Sequence, residues 1–372
     1  MSDYIPLEIQ LEIMNRLPVK SLLRFRSVCK SWKFLIDSSH FIAGYSGQQQ
    51  LLLVSFSEYL VEDDQHHMSI VDDDSFPKQR VSITFPSLVK KLKVPYTIGS
   101  SHGLLCLYDL EDTMNMAVIW NPSIRKAVAV SVPNMADDVY TVLGFGVCRE
   151  TTDPKILKIT RASVGIDTES VNPWQVEVFT LSTMAWKNPC GSNLLRRSII
   201  FSESQAVVDG VIYWLAYDGF ANLDEEDGTF TAYDLIISFD MTSEKFGEVN
   251  LPDSLVSCDC SMSQLRESLV VIEPYSKINP IEFYYHVWMM EDGVTKSFIK
   301  LYTIDHLPDV LIFRVRGFRK TGEALFEALS FPDSTNMLAA YEPYSKSISN
   351  IAINERYCSY SVYAYMETLL LL

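Results

Sequence analysis

The chain predicts a small all-α unit of three short helices over residues 1–45, followed by an all-β region over residues 46–372 whose repeats suit a β-propeller. Three observations lead there. Apolar residues recur at helical spacing in the first part of the chain. Past residue 46 the texture changes to short β-branched and aromatic runs broken by Gly, Pro, Asn and Asp. Those runs then repeat with separations of 60, 59, 50 and 51 residues.

Composition bounds the possibilities. Hydrophobic residues make up 48% of the chain and charged residues 21%, enough apolar side chain for a packed core and no global signature of disorder. No basic stretch followed by an apolar run opens the sequence, and no window approaches a membrane span, so the expectation is a protein neither secreted nor membrane-spanning. The 7 cysteines have no framework spacing and read as free thiols in a reducing compartment, cytoplasmic or nuclear. Residues 1–45 carry six Lys/Arg against four Asp/Glu, or +2, which leaves 25 against 43, or −18, for the remainder. An acidic body repels phosphate backbones and anionic lipid, so neither nucleic acid nor membrane is expected as a partner, and protein is.

Within the first 45 residues, Ile9, Ile13, Met14 and Leu17 recur at helical spacing behind Pro6 and Glu8, which suit a helix start. Pro18 ends that helix, and Val19 to Phe25 begin another. Val28, Cys29, Trp32, Leu35 and Ile36 form the stripe of a third, with Arg26, Lys30 and Lys33 expected on its wet face. So small a unit buries its own apolar positions poorly and implies a helical partner.

The segments Ile5-Pro6-Leu7-Glu8-Ile9, Glu12-Ile13-Met14, Arg16 to Arg26 and Val28-Cys29-Lys30-Ser31-Trp32 resemble the plant F-box pattern, with Ile5 and Met14 standing where that family prefers Leu. The resemblance implies that Pro6, Ile9, Ile13, Leu17, Pro18, Leu22, Leu23, Val28, Cys29, Trp32 and Leu35 supply both the core of the unit and the apolar face received by a Skp-type adaptor. Which of them touch and which only pack stays open at this level.

The repeats are strand, turn, strand. The copies are Val118–Lys126, Val178–Lys187, Ile237–Phe246, Val287–Gly293 and Leu338–Lys346, in which Asn-Pro-Ser or Asp-Met-Thr-Ser supplies a tight turn. A further glycine-punctuated strand pair precedes most copies, for example Gly103–Tyr108 and Val207–Leu215, giving four strands per repeat. Five blades are visible, and a sixth is expected from both ends, using Leu51–Phe56, Val81–Phe85 and the C-terminal Tyr360–Leu372. The region resembles the F-box-associated, kelch-like domain of plant F-box proteins, down to Gly99–Cys106 and Trp120-Asn121-Pro122-Ser123.

Chemistry-bearing residues are sparse. His66-His67 within the acidic stretch Glu58–Asp74 reads as a solvated loop rather than a metal site. Cys258-Asp259-Cys260 lacks the second pair of ligands that zinc needs and reads as buried thiols. His102, His286 and His306 have no ligand spacing, and no nucleophile elbow, phosphate loop or His-Glu-x-x-His occurs, so no metal, cofactor or catalytic residue is expected. If Glu58–Asp74 and Asp218–Asp227 shared one rim they would select a basic patch; solubility is the plainer account of both.

The resemblance implies a non-catalytic substrate-recognition subunit of an SCF-type E3 ubiquitin ligase, linked through the adaptor to cullin and RING subunits, with an unknown protein substrate on the propeller. A binding module whose adaptor contact leads to no ubiquitination is the alternative.

Overall fold

The computed structural model describes residues 5–47, 49–58, 65–93, 95–109, 115–133, 139–162, 173–189, 195–219, 235–255, 260–278, 281–291, 296–307, 309–331, 334–355 and 358–372. The chain divides into two compact units, one of Met1–Ser55, His66–Pro133 and Tyr363–Leu372, the other of Phe56–Gln65 and Asn134–Val362.

In the first unit the N-terminal helices are α1 (Leu7–Asn15), α2 (Val19–Phe25), α3 (Lys30–Ile36) and α4 (Ser39–Gly44). Pro6 and Pro18 sit at the N-caps of α1 and α2, where a missing amide costs nothing. Three differences from the sequence reading have physical causes. The fourth helix, α4, begins where Ser38 Oγ accepts from Phe41 N at 3.2 Å and is held by burial of Phe41; six residues are too few to show a period. Helix α3 starts at Lys30 because Cys29 is its cap, accepting from Trp32 N at 3.4 Å, so Val28 and Cys29 lie ahead of the helix and are exposed. Arg26 is not on a wet face: its guanidinium forks onto Asp37 at 2.5 and 3.0 Å, tying the end of α2 to the end of α3.

Among the described residues the strands form six four-stranded sheets, the blades of the propeller fold. One combines β1 (Gln50–Glu58), β2 (Gln65–Val71) and β3 (Arg80–Ser82) with the C-terminal β24 (Cys358–Met366), in the order β24-β1-β2-β3. The mixed blade is therefore present, though its outer strand stops at Ser82 and the C-terminal strand at Met366, short of Phe85 and Leu372. The next contains β4 (Pro95–Ser101), β5 (Leu104–Asp109), β6 (Met116–Asn121) and β7 (Lys126–Ser131).

The second unit carries four sheets in chain order. They are β8 (Val139–Val147), β9 (Pro154–Ala162), β10 (Gln175–Thr180) and β11 (Ala185–Lys187); β12 (Ile199–Val208), β13 (Val211–Asp218), β14 (Leu235–Asp240) and β15 (Lys245–Asn250); β16 (Ser261–Leu265), β17 (Ser268–Ile278), β18 (Ile281–Glu291) and β19 (Ser297–Ile304); and β20 (Val310–Phe318), β21 (Ala324–Ser330), β22 (Thr335–Glu342) and β23 (Ser347–Glu355).

The repeated turns share one device. The last turn residue before the outer strand is left-handed at Arg125, Met184, Glu244 and Lys346, with φ from 51° to 58°. Asn121 and Asp240 each accept from backbone amides two and three residues on, which closes the turn without glycine. Cross-strand aromatic pairs fix the register, as in Phe179 with Trp186 and Phe239 with Phe246.

Candidate functional site

The N-terminal helices divide their apolar residues into two sets. Met14, Val19, Leu22, Ile36, Phe41 and Tyr45 are buried together, with Leu17, Leu23, Trp32 and Leu35 partly buried against them. Trp32 anchors the set, donating from Nε1 to Gln10 Oε1 at 2.9 Å and lying 5.1 Å from the Phe25 ring. Tyr45 OH donates to Leu17 O at 2.7 Å, and its burial pushes the phenol pKa up. Asp37 is held down to about 2, first by its hydrogen bond from Arg26.

The second set faces solvent. Ile9 and Ile13, one turn apart on α1, are 46% and 47% exposed; Val28 is 63% and Phe34 81% exposed. Ile5, Leu7, Pro6, Pro18 and Cys29 are exposed as well. Of the expected residues, then, Leu22 is core, Leu17, Leu23, Trp32 and Leu35 line its edge, and Pro6, Ile9, Ile13, Pro18, Val28 and Cys29 belong to no core. In α1, Ile9 and Ile13 share a face opposite Leu11 and Met14, so one helix carries two apolar stripes, one packed and one exposed. Phe34 escaped the sequence reading; its signal was an aromatic residue beside Lys30, Ser31 and Lys33 on the polar side of α3.

The helices are completed by the other end of the chain. Leu369 is fully buried in the same cluster as Met14 and Leu22, joined by Ile124 from the β6–β7 turn. Glu367 accepts from Val19 N at 3.2 Å, at the start of α2, and its backbone oxygen accepts from Gly47 N at 3.0 Å. Burial pushes the Glu367 pKa up. Asn121, fully buried, donates from Nδ2 to Thr368 O and Leu370 O at 3.0 and 2.7 Å while its Oδ1 closes its own turn. The Trp-Asn-Pro-Ser segment is thus a clamp on the C-terminal residues, and nothing local in either segment announces the pairing.

The other sequence candidates resolve as follows. His67 lies edge-on to Phe85 at 4.1 Å and bonds Ser55 Oγ at 2.7 Å. Cys260 is buried with Sγ directed at Leu255 O, while Cys258 and Asp259 fall outside the described residues. Residues 59–64 and 220–227 of the two acidic stretches also fall outside them, so the shared rim is not placed. Among the described residues no group of three or more His, Cys, Asp or Glu could hold a metal, and no helix is long and apolar enough to cross a membrane.

Comparison with known proteins agrees with both parts of the chain. Residues 3–43 match the F-box domain family, and residues 72–326 match the F-box associated beta propeller domain family. F-box protein CPR1 of Arabidopsis thaliana is 23% identical over 397 aligned positions, covering 99% of this chain and 89% of that protein. The F-box/kelch-repeat protein At3g23880 of the same plant is 25% identical, covering 82% and 80%. Among solved structures, TolB from Acinetobacter baumannii aligns with 85% of this chain and 67% of its own at a TM-score of 0.38 and 8% identity, too remote to bear on function. The chain belongs to the F-box proteins that carry an F-box associated beta propeller domain.

Proposed function

We propose that this chain is a non-catalytic substrate-recognition subunit of an SCF-type E3 ubiquitin ligase, with residues 1–45 engaging a Skp-type adaptor and residues 46–372 holding a protein substrate. One observation carries the reading. A helical unit whose core is already filled still leaves Ile5, Leu7, Ile9, Ile13, Val28 and Phe34 in water. Burying one such side chain is worth about 1.5–3 kcal/mol, so exposing six on so small a unit makes sense as an interface awaiting a helical partner. The adaptor would bring cullin and RING subunits, and the chain's contribution to ubiquitin transfer is positional, raising the effective concentration of a substrate lysine near the charged thioester. The reading places it in the cytoplasm or nucleus.

The double variant Ile9→Asp, Ile13→Asp tests the face without touching the core. Binding to a purified Skp-type adaptor should weaken by about a hundredfold or more with unchanged thermal unfolding; an unaltered Kd would refute the assignment. Ubiquitin output is tested separately, by whether a captured partner is turned over when the complete ligase is assembled. A partner that binds and is never modified would favour a plain binding module.

A further inference from the structure

The fold buries or half-buries four described arginines, and three of them meet a carboxylate: Arg26 at Asp37, Arg316 at Glu327 and Arg319 at Glu323. Arg161 is the exception. Along β9 the inward positions Leu157 and Ile159 are fully buried, and Arg161 stands at the next inward position, where the alternation calls for another apolar side chain. Its guanidinium lies 4.3 Å over the Trp174 ring and donates one hydrogen bond, to Arg197 O at 2.9 Å. Tyr140 is its cross-strand partner on β8, and Tyr217 faces it from β13 of the next sheet. Among the described residues no carboxylate pairs with it. Burial holds its pKa below the ordinary value, with Tyr140 and Tyr217 opposing.

A half-buried cation without a counter-ion costs free energy, and a chain of net charge −16 has carboxylates in excess with which to neutralise it. The aromatic surround is built: Trp174 is edge-on to Phe201 at 5.5 Å, and Tyr140 OH donates to Phe201 O at 3.0 Å, which fixes the ring beside the arginine. Stacking occupies the face of the guanidinium and leaves its edge, the donor fork that suits a planar carboxylate. Tyr140 is 41% exposed, so the site opens to solvent. We propose that Arg161, set between Tyr140, Trp174 and Tyr217, is the recognition site for one acidic side chain, Asp or Glu, of the substrate protein. An arginine fork on a chain of net charge −16 favours an isolated carboxylate over a polyanion, since the overall field repels nucleic acid. The inference deepens the substrate-receptor reading and rests on it.

The test uses the full chain without adaptor and four immobilised pools of short peptides, differing only in a fixed central Glu, Gln, phosphoserine or Lys. The Glu pool should be retained about fivefold or more over the Gln pool, and Arg161→Met, which keeps the stem over Trp174, should bring the two level. Arg161→Lys keeps the charge and loses the fork, so an intermediate preference is expected, and it serves if the methionine variant fails to fold. Equal retention of Glu and Gln by the unaltered chain overturns the site. Retention of phosphoserine far above Glu overturns the carboxylate assignment. Selection that emerges only after Asp224, Glu225, Glu226 and Asp227 are neutralised to Asn or Gln assigns the arginine to the chain's own acidic segment and overturns a substrate role. Because no adaptor is present, failure here leaves the F-box reading untouched, and a failed adaptor assay leaves peptide selection intact.

Discussion

Replacing Leu369 by alanine should loosen the F-box helices although the residue lies at the far end of the sequence. Leu369 is completely buried among Met14, Val19, Leu22, Ile36, Phe41 and Tyr45, held there by the grip of Asn121 on Thr368 O and Leu370 O. A buried Leu→Ala change costs about 2–5 kcal/mol, the upper part of that range applying where neighbours cannot collapse into the void. Taking about 3 kcal/mol, opening of the helices becomes about a hundredfold more frequent. Amide hydrogen exchange on the full chain reads this directly: protection in residues 7–45 should fall by that factor while strands β8 to β23 keep theirs. Affinity for the adaptor should fall only by the fraction of helices left folded, so a modest change in Kd is expected beside the large change in exchange. Unchanged protection in α1–α4, or equal loss throughout the chain, would refute the claim that the C-terminal residues complete the F-box.

Three further outcomes follow from particular contacts. Asp37→Asn should destabilise the helices at neutral pH by about 1 kcal/mol, the shift being discounted for the partial exposure of the pair. Because the folded Asp37 pKa lies at about 2, below its ordinary 3.8, the stabilisation is present above pH 3.8 and disappears as pH falls towards 2, so exchange rates of variant and parent should converge there. Gly144→Ala places a Cβ 2.8 Å from Ile212 Cδ1 and from Trp214 Cζ2, and overpacking of about 1–3 kcal/mol should appear in the denaturant midpoint. Glu244→Gln leaves the buried Lys155 ammonium, now 2.8 Å from Glu244 and from Met241 O, without its counter-charge; a loss of about 3 kcal/mol is expected, and Lys155→Met combined with it should recover part of that.

The helices were legible because their signals are local. Proline at a helix start and an apolar period act within a few residues, and the repeated turns likewise carry their own Asn or Asp. The mixed blade was also legible, since unpaired strand-like sequence at both ends of a repeat array leaves few other ways to cover an edge. Helix α4 was not, being too short to show a period and dependent on Phe41 finding a core.

The chain by itself determined the order of helices and strand repeats, which follows from spacing along the backbone, and its quoted motifs carried the resemblance to the F-box family. Only the tertiary structure decided which apolar residues of the F-box are used up inside and which stay exposed: two stripes on one helix look alike until a neighbour covers one of them. It likewise decided that Asn121, Glu367 and Leu369 belong to the N-terminal helices, because Val19 and Glu367 stand 348 residues apart and share no local signal. Arg161 is the same lesson with charge: that no carboxylate among the described residues pairs with it emerges only when the surrounding strands are in place.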